Sequence, residues 1–380
     1  MDENENPLSK IGQDIKVIDM HIIEAMAARM QAAREVEHIK AVRSDNQPIY
    51  RESVENDRIT FIREYASSRG INPHFAEAIL YAVINESCKI QMIQRENHGT
   101  YLHSVNDLTY EELKSNLLML TSIVASTYDN GYAGSFPATR IYLDFESKVI
   151  NYTIDMLEDN IADRRFLDIG CATGVTSSLV SDKFSHLVGV DISADMIEIA
   201  KNKFSGDSRF EFIAADVEGT DFWDKQESKS YDMVTMTLGT GGDLKNISTV
   251  LAQLHRVLKN GGRFVFSFYN TNSIMKGYSK IPWLGSLAGS IDHERGCIDV
   301  HHKEQIYSLY AKSYTPEEVD ELICGNWVIT DSWSCPTISP VVPSSVLENI
   351  SSYEYFQDLD FKLAPESNLG SYLLVAGRKS

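Results

Sequence analysis

The sequence has little that would staple it or anchor it. Five cysteines in 380 residues (Cys88, Cys171, Cys297, Cys324 and Cys335) are odd in number, and no two stand at metal-ligand spacing. A disulfide scaffold and a zinc site are therefore not expected, and a reducing, cytoplasmic setting fits best. No apolar run approaches the roughly 20 residues of a membrane span, and the start, MDENENPLSK, is too polar and acidic for a signal peptide. Basic residues are the scarcer charge: 35 Lys and Arg against 54 Asp and Glu leave a net charge of −19. The Lys and Arg are also scattered singly, which argues against nucleic acid or an anionic membrane surface as a partner. Internal repeats and low-complexity tracts are absent. What is present is an ordinary apolar content of 43%, enough for two or three domains with cores of their own.

Residues 8–96 carry no strand pattern. Ile11, Ile15, Ile18 and Ile22 recur at helical intervals, and Met26 and Ala33 continue the seam. This predicts one long helix, ended by Ser44-Asp45-Asn46-Gln47-Pro48, then a second over about 52–68 and a third from Pro73 to about 96. At 1.5 Å per residue the first helix spans roughly 45–50 Å. That outreaches a small domain, so a homodimer through these helices is expected.

Residues 97–127 read as a linker and a further helix with Leu113, Leu117 and Leu120 on one face. From residue 165 short apolar runs alternate with helical stretches: Phe166–Gly170, His186–Asp191, Phe210–Ala214, Tyr231–Thr237 and Gly262–Phe268, with Ser371–Gly377 as a last strand. Alternation of this kind predicts a mostly parallel sheet with helices on both faces. Residues 269–365, rich in Ser, Pro and aromatics, are expected to form a substrate cap. The expected architecture is thus multidomain: an all-α three-helix domain (1–96), then an α/β doubly wound, Rossmann-like domain (128–380).

The strongest motif is Asp168-Ile-Gly-Cys-Ala-Thr-Gly174, placed between a strand and a helix expected over Val175–Phe184. Gly170 and Gly174 let backbone approach a ligand, and the helix start offers free N–H donors. Asp191 closes the next strand, where a carboxylate accepts hydrogen bonds from ribose hydroxyls. Ala215-Asp216, Tyr231-Asp232 and Leu258-Lys-Asn-Gly-Gly262 follow in order. The series resembles the class I S-adenosylmethionine-dependent methyltransferases, with Ala172 where the middle glycine of their loop usually stands. The competing pattern, that of nicotinamide dehydrogenases, needs the longer Gly-x-Gly-x-x-Gly spacing. The resemblance implies S-adenosyl-L-methionine as cofactor, with Asp168, Gly170, Ala172 and Gly174 around its methionine part, Asp191 on the ribose and Asp216 at the adenine amino group. Leu238–Asp243, Tyr128 and Tyr132 are candidate borders of the methyl acceptor. The acceptor is expected to be a small metabolite of secondary metabolism.

In the first domain, Arg29 and Lys40 lie eleven residues apart on one helix and face the same side. Ser87 and Gln91 share a face of the third helix, and Glu55 stands near the start of the second. Two cations, an amide, a hydroxyl and a carboxyl in an apolar bundle suggest a pocket for a small polyanion. Together with Ile15–Asp19, Ile22-Ile23, Pro48-Ile49 and Glu86-Ser87, these residues resemble the all-helical chorismate mutases. The resemblance implies intertwined long helices in a dimer and conversion of chorismate to prephenate. Arg29 and Lys40 would hold carboxylates, Gln91 and Glu55 would meet the ether oxygen, and Ser87 would lie beside them. Three positions depart from the family: Gly12 and Val54 replace arginines, and Arg51 stands near an expected acid. The alternative is a catalytically inactive dimerisation or ligand-sensing module beside a methyltransferase whose acceptor is unrelated to chorismate.

Overall fold

The run of strong helix formers from Glu24 to Glu35, with no proline after Pro7, carries α1 over Pro7–Val42, a 36-residue helix. The structure, a computed structural model, describes residues 7–43, 48–98, 108–129, 136–158, 161–276, 291–292, 295–302, 305–325 and 327–380. The expected helix break at 44–47, most of the linker before residue 108, and Tyr132 lie outside the described residues. Two compact units divide between Val105 and Asn106.

The first unit contains α1, α2 (Glu52–Ser68) and α3 (Pro73–His98), with α3 packed on both others. Asn72 accepts from His74 N through Oδ1 at 2.9 Å where α3 begins, and Pro73 occupies the first turn. Ala33, Ile59, Ala66, Tyr81 and Ile84 form the buried centre. Arg95 forks onto the buried Glu37 at 2.7 and 3.0 Å, tying α3 to α1. The other end of α1 has no such cover. Ile11, Ile15, Ile18, Ile22 and Ile23 are each about half exposed or more within the single chain.

The second unit is built on an eight-stranded sheet of order β10-β11-β5-β4-β1-β2-β3, with a short β9 beside β5. The strands are β1 (Arg165–Ile169), β2 (His186–Asp191), β3 (Phe210–Ala214), β4 (Tyr231–Met236), β5 (Leu258–Asn270), β9 (Ser313–Tyr314), β10 (Trp327–Cys335) and β11 (Tyr372–Lys379). The five-strand block β3-β2-β1-β4-β5 is parallel, whereas β11 runs antiparallel to both β5 and β10. Strand order reverses between β1 and β4. Such a reversal opens a crevice at the C-terminal strand ends, where Asp168, Asp191 and Thr237 lie.

The second half of the chain departs from the sequence reading in three places. The helix after Gly174 runs only over Val175–Leu179, not to Phe184, since Thr176-Ser177-Ser178 and Ser181-Asp182 are weak helix formers. The helix of the presumed linker, α4 (Tyr110–Val124), is opened by a Thr109–Glu112 capping box and packs within the second unit, against β8 (Gln305–Tyr310). The segment 269–365 is not all cap: β9 and β10 join the main sheet. Outside that sheet, β6 (Ile291–Asp292), β7 (Cys297–His302) and β8 form an antiparallel three-stranded sheet. The helices Pro316–Ile323, Ser344–Leu347 and Ile350–Leu363 also belong to this interruption.

Candidate functional site

The chain turns sharply as it leaves β1. Gly170 and Gly174 take φ of +72° and +80°, and Ala172 takes +44°. These left-handed angles suit glycine, and an added Cβ at Gly170 would sit 2.9 Å or less from the Thr240 side chain. The loop is fixed from behind by Gly170 N and Cys171 N, which donate to the Val190 carbonyl. It is fixed from the side by Asp191, whose Oδ2 accepts from Ala172 N at 2.9 Å while Oδ1 accepts from Ser193 N at 2.9 Å. Each carboxylate oxygen keeps a lone pair for a further donor.

Asp168 is buried at the end of β1. Its Oδ1 accepts from Thr235 Oγ1 at 2.7 Å, and its Oδ2 has no donor among the described residues. Burial pushes this carboxyl up to about 7, the Thr235 and Thr176 hydroxyls oppose the shift, and the Glu146 and Asp191 carboxylates add to it. A buried oxygen lacking a donor, beside a loop of left-handed residues, is what a ligand ammonium or amide would complete. The residues thus fit the methionine part and ribose of S-adenosylmethionine. Asp168, Gly170, Ala172, Gly174 and Asp191 come together as expected.

Asp216 lies after β3, but with a partner the sequence did not disclose. Lys114 Nζ on α4 donates to Asp216 Oδ2 at 2.5 Å, and Glu218 N donates to Oδ1 at 3.0 Å. Tyr110 donates to Glu218, which also accepts from Asn246 N. A second tie runs from Asp129, which accepts from the Thr173 hydroxyl and from Lys203 Nζ, the latter at 2.8 Å. Lys114 and Asp129 therefore bring residues 110–129 to both ends of the cradle. Their partners are 102 and 44 residues away, so no local pattern reveals them.

The loop after β4 borders the same crevice. Leu238 N donates to Glu146 Oε1 and Gly239 N to Ser267 Oγ, while Tyr142 OH bridges Glu146 at 2.8 Å and Ser267 at 2.5 Å. Burial pushes Glu146 up to about 7, with the Leu238 and Tyr142 bonds opposing. Gly239 and Gly242 lie against the Tyr269 ring, where any Cβ would come within 2.6 Å of it. Asp243, at the loop's end, is hydrogen-bonded to Tyr269; burial pushes Asp243 up to about 8 and the Asp191 charge reinforces that.

In the first unit the five expected residues also gather. Lys40, Glu55, Ser87 and Gln91 are buried, and Arg29 is half-buried. Lys40 Nζ donates to the Pro48 carbonyl at 3.2 Å, and Ser87 Oγ to the Val83 carbonyl at 2.7 Å. Gln91 Nε2 reaches the Ser87 carbonyl at 3.4 Å, whereas its buried Oε1 has no partner among the described residues. Burial lowers the Arg29 guanidinium below its ordinary range, with Arg58 adding to this and Glu55 opposing it. The buried Cys88 thiol senses the same groups and is pushed up to about 12. Arg58, absent from the sequence reading, donates through Nη1 to both oxygens of Glu55 at 2.9 Å.

Comparison with known proteins divides the chain in the same way. Residues 11–92 match the family described as chorismate mutase type II, and residues 166–262 match the family described as methyltransferase domain. A demethylmenaquinone methyltransferase of Clavibacter sepedonicus is 35% identical over 29% of this chain and 43% of its own length. A malonyl-[acyl-carrier protein] O-methyltransferase of Priestia megaterium is 27% identical over 40% of this chain and 53% of its own. The chain thus spans about half the length of these curated relatives. Among solved structures, a DhpI–SAH complex shares 14% identity with a TM-score of 0.43, covering 72% of this chain and 99% of that one. An S-adenosylmethionine-dependent methyltransferase from Mesorhizobium loti shares 15% identity with a TM-score of 0.37, covering 59% and 95%.

Proposed function

Because the chain carries a chorismate mutase type II domain ahead of a methyltransferase domain, we propose that it is an S-adenosylmethionine-dependent methyltransferase acting on a small metabolite, with a helical domain that forms a homodimer and binds chorismate or a relative. The observation that carries the first half is the cradle itself. Asp168 Oδ2 waits for a donor, and Asp191 is aimed by two backbone N–H groups with lone pairs to spare. When bound, S-adenosylmethionine supplies an electrophilic methyl on a sulfonium. The chain's own residues then hold and orient. Asp168 takes the amino group, Asp191 the ribose hydroxyls, and Asp216, shared with Lys114, the adenine edge. The Leu238–Asp243 loop, braced by Glu146, Ser267 and Tyr269, walls the space where an acceptor is positioned. A calorimetric titration with S-adenosylmethionine and with S-adenosylhomocysteine tests this reading.

The dimer is supported by the uncovered Ile11–Ile23 stretch of α1, too long and too apolar for one small unit to hide. A cytoplasmic setting is supported by five free cysteines, four of them buried. The second reading, a helical domain that binds without turnover, is favoured by one contact. Both oxygens of Glu55 accept from Arg58 on its own helix, so the side chain is tied into an ion pair and not left open toward an ether oxygen, the part Glu55 would play in a mutase. Purified chain mixed with chorismate separates the two: consumption supports a mutase, and binding without consumption supports a sensor.

A further inference from the structure

The helical domain holds two guanidinium groups whose hydrogen-bonding capacity its own residues leave open. Arg29 is half-buried and makes no hydrogen bond or ion pair with any described residue. Arg58 is near enough to act electrostatically on Arg29 and on Cys88. It uses only Nη1 on Glu55, so Nε and Nη2 have no partner among the described residues. Gln91 Oε1 is buried in the same domain, on the helical turn that follows Cys88, and also lacks a donor. The Glu55 carboxylate offsets one of the two guanidinium charges, so one positive charge is left for an anion, and the buried Gln91 oxygen is left for a ligand donor.

We propose that Arg58 is a ligand-binding residue of this pocket, bracketing with Arg29 the carboxylate of a small hydroxylated acid. This rests on the reading of the helical domain as a binder of chorismate-like ligands. A planar guanidinium with adjacent free Nε–H and Nη2–H groups presents the fork that a carboxylate accepts in bidentate fashion. Gln91 Oε1 supplies the acceptor for a ligand hydroxyl. Residue 58 lies one helical turn beyond Val54, so Arg58 returns to the same face of α2 the cation that Val54 lacks. Glu55, only 8% exposed, is then the positioning residue that fixes Arg58 while leaving its other donors free.

The test is calorimetric titration of the full-length chain with chorismate, comparing wild type with Arg58→Ala, Arg58→Lys and Glu55→Gln. Inorganic phosphate serves as the control for non-specific anion binding. The Arg58 side chain is 48% exposed, so its variants should keep the wild-type helical circular dichroism and melting temperature. The expected result is that Arg58→Ala weakens chorismate binding by about 10-fold or more, because a charge-assisted pair is lost. Arg58→Lys, a cation without the fork, should recover part of the affinity, and Glu55→Gln should lose less than Arg58→Ala. A wild-type chain that binds chorismate as tightly as Arg58→Ala does would overturn the role of Arg58 and leave the pocket standing. A wild-type chain that binds no chorismate, or binds phosphate equally well, would overturn the pocket and Arg58 with it.

Discussion

Asp191 and Ala172 are joined across the ends of β2 and β1: the Ala172 amide donates to Asp191 Oδ2 at 2.9 Å, while Ala172 itself sits at a φ of +44°. One carboxylate thereby holds the strained loop and, in the proposed reading, also accepts from the ribose. The two duties make its replacement a sensitive test. Asp191→Ala should weaken S-adenosylmethionine binding by about 1–3 kcal/mol, the loss expected for buried hydrogen bonds left unmade. Calorimetry giving unchanged affinity would remove Asp191 from the site.

Asp168 predicts a pH dependence. Its folded-state value of about 7 lies above the ordinary 3.8, so its contribution to the stability of the ligand-free chain is greatest below about pH 4 and is lost as pH rises through 7. Ligand binding has the opposite sign, because only the ionised carboxylate pairs with an ammonium. Affinity for S-adenosylmethionine should therefore rise between pH 5.5 and 7.5, with proton release on binding. The facing groups are Glu146, Asp191, Thr235 and Thr176, so Asp168→Asn is the variant that isolates the effect. Titrations in buffers of different ionisation enthalpy should show proton release in the wild type and little in Asp168→Asn.

The tie between Asp129 and Thr173 predicts a remote effect on the cradle. Asp129→Asn removes the charge that pairs with Lys203 and weakens the hold on Thr173. The pair is partly exposed, so the stability cost should stay below about 1 kcal/mol. Cofactor affinity should nevertheless fall several-fold, because the loop loses its outer restraint. Equal affinity in the two chains would make the contact structural only.

Assembly is the fourth prediction. Replacing Ile15, Ile18 and Ile22 together by Ser strips the exposed seam of α1 without touching a buried side chain. The full-length chain should be a dimer at micromolar concentration, and the triple variant a monomer by light scattering. A monomeric wild type would contradict the shared-helix reading.

The parts of this fold that the sequence displays are those whose burial is uniform. Strands β1, β2 and β4 are covered on both faces and appear as mainly apolar runs such as Leu187–Val190, broken in β1 only by the buried Asp168. Strand β10 is an edge strand whose exposed Thr330 and Ser332 and part-exposed Asp331 and Trp333 interleave polar and apolar types, so Trp327–Cys335 reads as loop or cap. The same division holds at the sites. Asp168, Gly170, Ala172, Gly174 and Asp191 are close in the chain or end a readable strand. Lys114 and Asp129 act through tertiary proximity alone. Arg58 did leave a signal, its i, i+3 spacing from Glu55, but that spacing marks surface pairs as often as pocket pairs.

The central claim is that the loop from Asp168 to Gly174 holds S-adenosylmethionine and not a dinucleotide. Calorimetric titration of the full-length chain with S-adenosylhomocysteine and, separately, with NAD tests it most directly. The account predicts saturable binding of S-adenosylhomocysteine at one site per chain, weakened in Asp191→Ala, and no binding of NAD. Saturable binding of NAD with none of S-adenosylhomocysteine would contradict it.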